Sequence, residues 1–407
     1  MVTGGPGTGK TTTIARLLGV LTAVTDEPLR TGLAAPTGKA AARLTQVLAQ
    51  AIDDTDFPAA QRGQLTGLSA STIHRLLGSR PDSRTRFRHH RGNPLPHDVV
   101  IVDETSMVSL TLMARLIEAV RPSARLILLG DVDQLASVDA GAVLKDIVEG
   151  LSALGDPAVI RLEAIHRFGE VIGRLASAIR TGDADAALDL LQEGQPEARL
   201  VGSADIRHLV MPPSVALYRA ADAGLREEAV HALDAHRLLC AHREGPYGVR
   251  HWNGQLERWL MAETARQWLP PWYAGQPVIA NANDYGLGLF NGDSGVVCRD
   301  DTSPTGLVAL ISDGEHPAGR PYPLTRLADV STAHAVTVHR SQGSQFDQVT
   351  VLLPEPESPL LTRELLYTAV TRARSTVRVV GSEESVRAAI DRRAQRATGM
   401  AHRLGQE

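Results

Sequence analysis

The chain has 407 residues, 43% of them apolar, which supports two or three buried cores rather than one. A net charge of −4 excludes a globally basic nucleic-acid binder, so any polyanion site must be a local patch. Only Cys240 and Cys298 occur, in no metal-binding spacing, which argues against a disulfide framework or structural zinc and suits a reducing cytoplasm; nothing reads as an export signal or membrane anchor.

The chain opens on "MVTGGPGTGKTTT", which satisfies G-x-x-x-x-G-K-[ST] at Gly4, Gly9, Lys10 and Thr11. Gly4, Gly5, Pro6, Gly7, Thr8 and Gly9 form the candidate phosphate loop, with Thr12 following in the helix. Glycines let backbone N–H groups turn toward phosphate oxygens, and the helix that follows aims its positive end at the same place. Lys10 would bridge the terminal phosphates of ATP, and the Thr11 hydroxyl would bind Mg²⁺.

The apolar runs "TGLAAPTG", "DVVIVDE" and "ARLILLGD" alternate with helical patterns, the signature of βαβ units and a parallel sheet. Between the first two lies a basic, turn-rich stretch, "RTRFRHHR", where Arg84, Arg86, Arg88 and Arg91 surround Phe87, a combination that suits phosphate and stacking contacts. "VVIVDE" places Asp103 at a strand end as a second metal-side carboxylate, with Glu104 beside it to orient or deprotonate water. In "MVSLTLMARLIEAV" the spacing of Met107, Leu110, Met113, Ala114 and Ile117 predicts the face that packs on the sheet. "LLGDVDQL" repeats the strand-end geometry, and Gln134 there is a candidate sensor of the γ-phosphate.

Helical patterning follows over about 166–235, and a second alternation starts at "HRLLCAHREGPYG". The stretch 284–330 reads as a small all-β insert, after which "QVTVLLP" and "TVRVVG" return to buried-strand composition. "YTAVTRAR" predicts a helix carrying Arg372 and Arg374, and an arginine from a second domain can stabilise transition-state charge on a γ-phosphate. Trp252 and Trp259 lie seven residues apart on one helical face, with Trp268 and Trp272 close by, a pattern read as burial in the second domain.

"GGPGTGKTTT", "LAAPTGKAAARL", "TIHRLLG", "VVIVDETSMV", "LLGDVDQLASVDAGAVL", "AHAVTVHRSQGSQFDQV" and "LLYTAVTRAR" occur in the order found in superfamily 1 helicases. The chain resembles, more narrowly, the alpha subunit of exodeoxyribonuclease V (RecD) and its stand-alone RecD-like relatives, on the 1B branch of that superfamily. The resemblance covers about residues 2–381 and implies an α/β fold of two RecA-like P-loop NTPase domains. The first would span 1–165 with a small 1B hairpin insertion at about 79–98. A helical connecting segment would follow over 166–235. The second domain would comprise 236–283 and 331–390 around an SH3-like 2B insertion at 284–330, leaving 391–407 as a tail.

The resemblance further implies an ATP-dependent 5′ to 3′ DNA helicase with ATP and Mg²⁺ as cofactors. Its partners would be single- and double-stranded DNA and the beta (RecB) and gamma (RecC) subunits, in double-strand break repair and recombination. Family roles fall on Lys10, Thr11, Asp103, Glu104 and Gln134, on Arg167 in "LEAIHRF", and on Arg372. Thr37, Lys39, His74, Thr337 and His339 fall where the family touches the DNA strand, and Arg86, Phe87 and Arg88 fall in the hairpin insertion. Two departures occur: Arg340 and Gln345 stand where the family usually has Lys and Glu, which implies a weaker but retained hydrogen bond near the ribose.

No carboxylate cluster is left over for two-metal DNA cleavage, so nuclease activity is expected only from a partner chain. The rivals to a complex-bound motor are a stand-alone helicase and a nucleotide-dependent structural subunit. Against the latter stands the full set of Lys10, Asp103, Glu104 and Arg372. The family's docking domain precedes the phosphate loop, which here begins at the fourth residue, so the expectation is a helicase core without that domain. Such a core, taken as residues 1–407 alone, is expected to have a shortened first strand, with an impaired nucleotide pocket or reduced stability.

Overall fold

The computed structural model describes residues 1–25, 27–80, 83–136, 142–154, 157–162, 169–265, 271–284, 286–312, 316 and 318–394. They fall into two compact units, one within 1–167 and the other within 168–394.

Unit 1 carries strands β1 (Val2–Gly4), β2 (Thr31–Ala35), β3 (Ala70–Thr72), β4 (Ser79–Arg80), β5 (Ser83–Phe87), β6 (Val99–Val102), β7 (Arg125–Gly130) and β8 (Ile160–Leu162). Its helices are α1 (Lys10–Ala23), α2 (Gly38–Asp53), α3 (Ala59–Leu65), α4 (Ile73–Leu77), α5 (Leu110–Ala119) and α6 (Val143–Ala153). Six strands form a parallel sheet in the order β3-β2-β6-β7-β1-β8, and β4 and β5 make a separate antiparallel hairpin.

The run "VVIV" explains the layering, because successive side chains of a strand point to opposite faces. Val99 and Ile101 join a core with Ile14, Leu18, Leu44 and Leu48 of α1 and α2. Val100 and Val102 join another with Met113 and Leu116 of α5 and Val143 of α6. Burial on both sides is what a helix-covered parallel sheet requires, and each such side chain contributes about 1.5–3 kcal/mol. The short β1 is braced on both edges, with Val2 paired to Leu129 of β7 and to Ile160 of β8.

The face expected of the α5 region is out of phase. Ser109 caps the helix by accepting from the Leu112 N–H at 3.4 Å, so the helix starts at Leu110, and Met107 belongs to a separate 3-10 turn. From that start Met113, Leu116 and Ala119 face the core, while Ala114 is exposed and Ile117 is 50% exposed.

Unit 2 contains β9 (Ala198–Val201), β10 (His236–Cys240), β11 (Pro277–Ala280), β12 (Ser294–Arg299), β13 (Leu307–Ile311), β14 (Arg320–Tyr322), β15 (Val330–Thr332), β16 (Ala335–Thr337), β17 (Phe346–Leu352) and β18 (Ala373–Val380). Its helices are α7 (Glu170–Thr181), α8 (Ala184–Gln192), α9 (Ile206–Asp222), α10 (Arg226–Ala235), α11 (Val249–Thr264), α12 (Arg363–Val370) and α13 (Glu383–Asp391). A parallel sheet runs β16-β10-β17-β18-β9, so the stretch read as purely helical also donates β9 to the edge of this sheet.

A second sheet, antiparallel, runs β14-β13-β12-β11-β15 and spans Pro277–Thr332, a range that includes 284–330. Val296, Cys298, Val308 and Leu310 on one face pack against α9 and α10. Val297, Ala309 and Ile311 on the other pack against Tyr322, Leu324 and Leu327. Trp252 and Trp259 are partly buried on α11 with ring centroids 6.0 Å apart; Trp268 lies outside the described residues.

Arg372 and Arg374 do not sit on the predicted helix. The helix α12 ends at Val370, Thr371 follows as its C-cap, and Arg374 belongs to β18, where it pairs with Asp347 at 3.2 Å. The β-branched, alternating run "STVRVV" takes over the backbone there.

Candidate active site

Topology places the chemistry. The loops after β1, β6 and β7, three neighbouring parallel strands, all leave the sheet at its carboxyl edge, where ligands of open α/β sheets bind. Gly7 and Gly9 take φ of 84° and 79°, left-handed values that favour glycine, and Gly9 starts α1 with no side-chain cap. First-turn N–H groups of α1 therefore point outward as anion donors. The Lys10 ammonium lies 2.6 Å from the Gly4 carbonyl and 3.0 Å from that of Gly5, at the mouth of the loop.

Thr8 and Thr13 donate their hydroxyls to Gly5 at 2.9 Å and Gly9 at 3.0 Å, whereas the Thr11 hydroxyl has no hydrogen-bond partner among the described residues. It is thus available to a cation. A Cβ on Gly4 would lie 2.7 Å from the Leu162 carbonyl of β8 and 2.6 Å from Thr8 Oγ1. Gly4→Ala is therefore expected to push β1 from β8 at a cost of about 1–3 kcal/mol, read as a lower thermal midpoint and weaker nucleotide binding; an unchanged midpoint would refute it.

Asp103 is half-buried at the end of β6, and its Oδ1 accepts from the Glu104 N–H at 2.8 Å. Its pKa is pushed up to about 6, first by burial and then by the Glu104 carboxylate, while Lys10 and Arg43 pull it down. A bound cation would relieve both the burial cost and the repulsion, so Thr11 and Asp103 suit a divalent metal. Folding raises this pKa from 3.8, so between about 4 and 6 the folded chain keeps a proton that the unfolded chain has released. The contribution of Asp103 to stability accordingly declines as pH rises through that window. Asp103→Asn should flatten the stability curve there, and an unaltered slope in denaturant titrations would count against the assignment.

Glu104 has φ 51° and ψ 39°, a left-handed conformation that is strained for a residue with a side chain. Next door, Asp131 is 2% exposed and Gln134 5% exposed at the end of β7. Gln134 Nε2 donates to Asp131 Oδ2 at 3.2 Å, and the buried Gln134 Oε1 has no hydrogen-bond partner among the described residues. It is an acceptor available to a water proton.

Arg43 was missed in the sequence, although it sits one helical turn from Lys39 in "GKAAAR", which was the signal available. Thr37 caps α2 through the Ala40 N–H at 3.2 Å, and Lys39 is half-buried in the first turn. His74 is exposed on α4 with its ring 5.8 Å from that of Phe87. The expected stacking role of Phe87 needs correction: it is 8% exposed in the core with Leu77, Leu95 and Met113, because the hairpin uses it as an anchor. Arg86 and Arg88 beside it are exposed, as β alternation requires. Arg167, and the side chain of Arg84, lie outside the described residues.

In unit 2, Thr337 is buried and its hydroxyl accepts from the Arg340 N–H at 3.3 Å, and His339 is half-buried in the turn that follows. Gln345 is buried, and Arg340 donates to Asn281 Oδ1 at 2.9 Å. Arg372 is 2% exposed, its Nε donating to the Thr368 carbonyl at 3.0 Å and its terminal nitrogens 3.4 Å from the Ser344 carbonyl and the Thr371 hydroxyl. Among the described residues no group of three or more His, Cys, Asp or Glu is placed to hold a metal ion, and no helix is long and apolar enough to cross a membrane.

Residues 1–140 match the AAA domain family, and 332–380 match the UvrD-like helicase C-terminal domain. The chain is 58% identical to the RecBCD enzyme subunit RecD of Mycolicibacterium smegmatis, covering 99% of this chain and 72% of that one. It is 33% identical to the RecBCD enzyme subunit RecD of Haemophilus influenzae (98% and 69% covered) and to the ATP-dependent RecD2 DNA helicase of Deinococcus radiodurans (99% and 50% covered). A solved structure of Pif1 helicase from Bacteroides in complex with ADP-AlF3 and ssDNA aligns over 94% of this chain and 89% of its own, with TM-score 0.50 at 18% identity, a likeness of fold. Two RecA-like domains are the architecture that results.

Proposed function

The chain belongs to the family of RecD subunits of the RecBCD enzyme, and from that premise we propose that it is the motor that drives DNA unwinding from a 5′ tail in such a complex. It is an ATP-dependent DNA helicase. The observation that carries the mechanism is the convergence of Lys10, Asp103, Glu104 and Gln134 at the carboxyl edge of one parallel sheet.

Loop N–H groups and Lys10 bind and orient the phosphates, and Glu104 aligns the attacking water and receives its proton. Gln134 Oε1 holds a second hydrogen of that water. Thr11 and Asp103 would hold Mg²⁺, which when bound neutralises charge on the phosphate oxygens. Arg372 and Arg167 supply positive charge to the γ-phosphate, and Gln345 hydrogen-bonds near the ribose.

Thr37, Lys39, His74, Arg86, Arg88, Thr337 and His339 form the DNA track, holding phosphates without reading sequence, and the antiparallel sheet helps enclose the strand as an SH3-like insert. RecB and RecC are the partner subunits, and the cytoplasm is the working compartment. Identity favours the subunit over the solitary helicase, since the chain is 58% identical to a RecD subunit and 33% identical to RecD2. Forked substrates bearing one single-stranded tail provide the test: unwinding from the 5′ tail is expected, and preference for the 3′ tail would overturn the polarity.

A further inference from the structure

The segment carrying Thr337 and His339 leaves the antiparallel sheet through the stretch Thr332 to Ala335, which joins the last residue of β15 to the first of β16. Every residue of that stretch is held by groups from elsewhere in unit 2. Asn253 of α11 uses both ends of its amide: Oδ1 accepts from the Ala335 N–H at 2.7 Å, and Nδ2 donates to the carbonyls of Thr332 at 2.9 Å and Ala335 at 3.3 Å. The Thr332 hydroxyl lies 3.0 Å from Gln276 Nε2 and 3.4 Å from Glu257 Oε1. Ala333 donates its N–H to the Pro277 carbonyl at 2.8 Å and accepts from the Arg237 guanidinium.

Tyr273 closes the set, its hydroxyl 2.8 Å from His334 Nε2 and 3.0 Å from Glu257 Oε1, with its ring stacked on that of His334 at 6.3 Å. Arg237, 2% exposed, also lies over the Phe346 ring at 5.0 Å. Phe346 is the first residue of β17, so Arg237 touches both stems of the segment that rises after the link and returns into the sheet.

Side-chain bonds to a buried link are costly to leave unmade and do nothing directly to a nucleotide. Their effect is to fix the direction in which the chain emerges two residues later at Thr337. We infer that Asn253 and Tyr273 are positioning residues which clasp the Thr332 to Ala335 link and so set the Thr337 to His339 segment against single-stranded DNA. The inference rests on the helicase reading and deepens it, since neither residue need touch DNA itself.

The test measures ATP turnover of the full chain against oligothymidylate concentration for the wild type, Tyr273→Phe and Asn253→Asp. Tyr273→Phe keeps the ring and drops only the hydroxyl; Asn253→Asp keeps an acceptor and loses both donors. Tyr273→Phe is expected to need about five- to tenfold more oligonucleotide for half-maximal stimulation, the size of one lost hydrogen bond, and Asn253→Asp, which loses two, at least as much. Turnover at saturating oligonucleotide and without DNA should stay within about twofold, the pattern of lost DNA binding rather than lost chemistry. Half-maximal concentrations equal to wild type would overturn the clasp. So would a loss of turnover in step with a lowered thermal midpoint, because a merely structural role predicts that. A wild type that DNA fails to stimulate would instead sink the helicase reading and the clasp with it.

Discussion

Lys10→Ala is expected to lower DNA-stimulated ATP turnover by about 10²–10³-fold, as loss of a preorganised charge at a developing anion does. Phosphoryl transfer leaves a protein little covalent work, so positioning and charge carry the rate. Lys10 is the first residue of α1, and its ammonium is held 2.6 and 3.0 Å from the carbonyls of Gly4 and Gly5, at the mouth of the loop where phosphate would bind. A second effect runs the same way. Lys10 draws the pKa of Asp103 down, so without it the carboxyl holds its proton to higher pH and is a poorer metal ligand. Steady-state turnover at saturating ATP and oligonucleotide reads the loss, and a variant retaining more than about a tenth of wild-type activity would defeat the assignment.

Replacing Glu104 should separate stability from activity. Glu104→Gly is expected to cost about 10²–10³-fold in turnover, the weight of a positioned general base. The same change should raise the thermal midpoint of the chain by about 2–4 °C, because a side chain at φ 51° costs roughly 1 kcal/mol that glycine does not. Removing the carboxylate also removes its repulsion of Asp103, which pushes in the same direction. Glu104→Gln relieves the same repulsion but keeps the strain, so it should lose activity and gain less stability than Glu104→Gly. Calorimetry beside single-turnover hydrolysis makes the comparison, and a Glu104→Gly chain less stable than Glu104→Gln would show that the strained backbone is not the source.

The phosphate loop was legible because its demands are local: Gly7 and Gly9 must reach φ near 80°, and Lys10 must follow at once. Asp103 was legible for a similar reason, as a carboxylate closing a run of four buried β-formers. Phe87 was misread because an aromatic among arginines looks the same in sequence whether its ring meets a base or Leu77 and Met113. The α5 face slipped because one residue, Ser109, decides where the helix begins, and every later position inherits that phase. Thr371 and Ala373 end a helix that the pattern "YTAVTRAR" extends, since pairing of β18 with β17 outweighs local propensity.

By itself the sequence determined the chemistry on offer: a P-loop, a carboxylate pair at a strand end, a glutamine after the next strand, and seven motifs in helicase order. These are properties of near neighbours, governed by backbone sterics and strand periodicity, and they survive without knowing what lies across the sheet. Only the tertiary structure decided that β1 sits between β7 and β8, that Arg43 and Lys10 act on Asp103, and that the stretch after 166 gives β9 to the parallel sheet of unit 2. The clasp on the Thr332 to Ala335 link belongs there too. Asn253, Tyr273 and Arg237 are distant in sequence from what they hold, and burial and strand register, which bring them together, are sums over the whole fold.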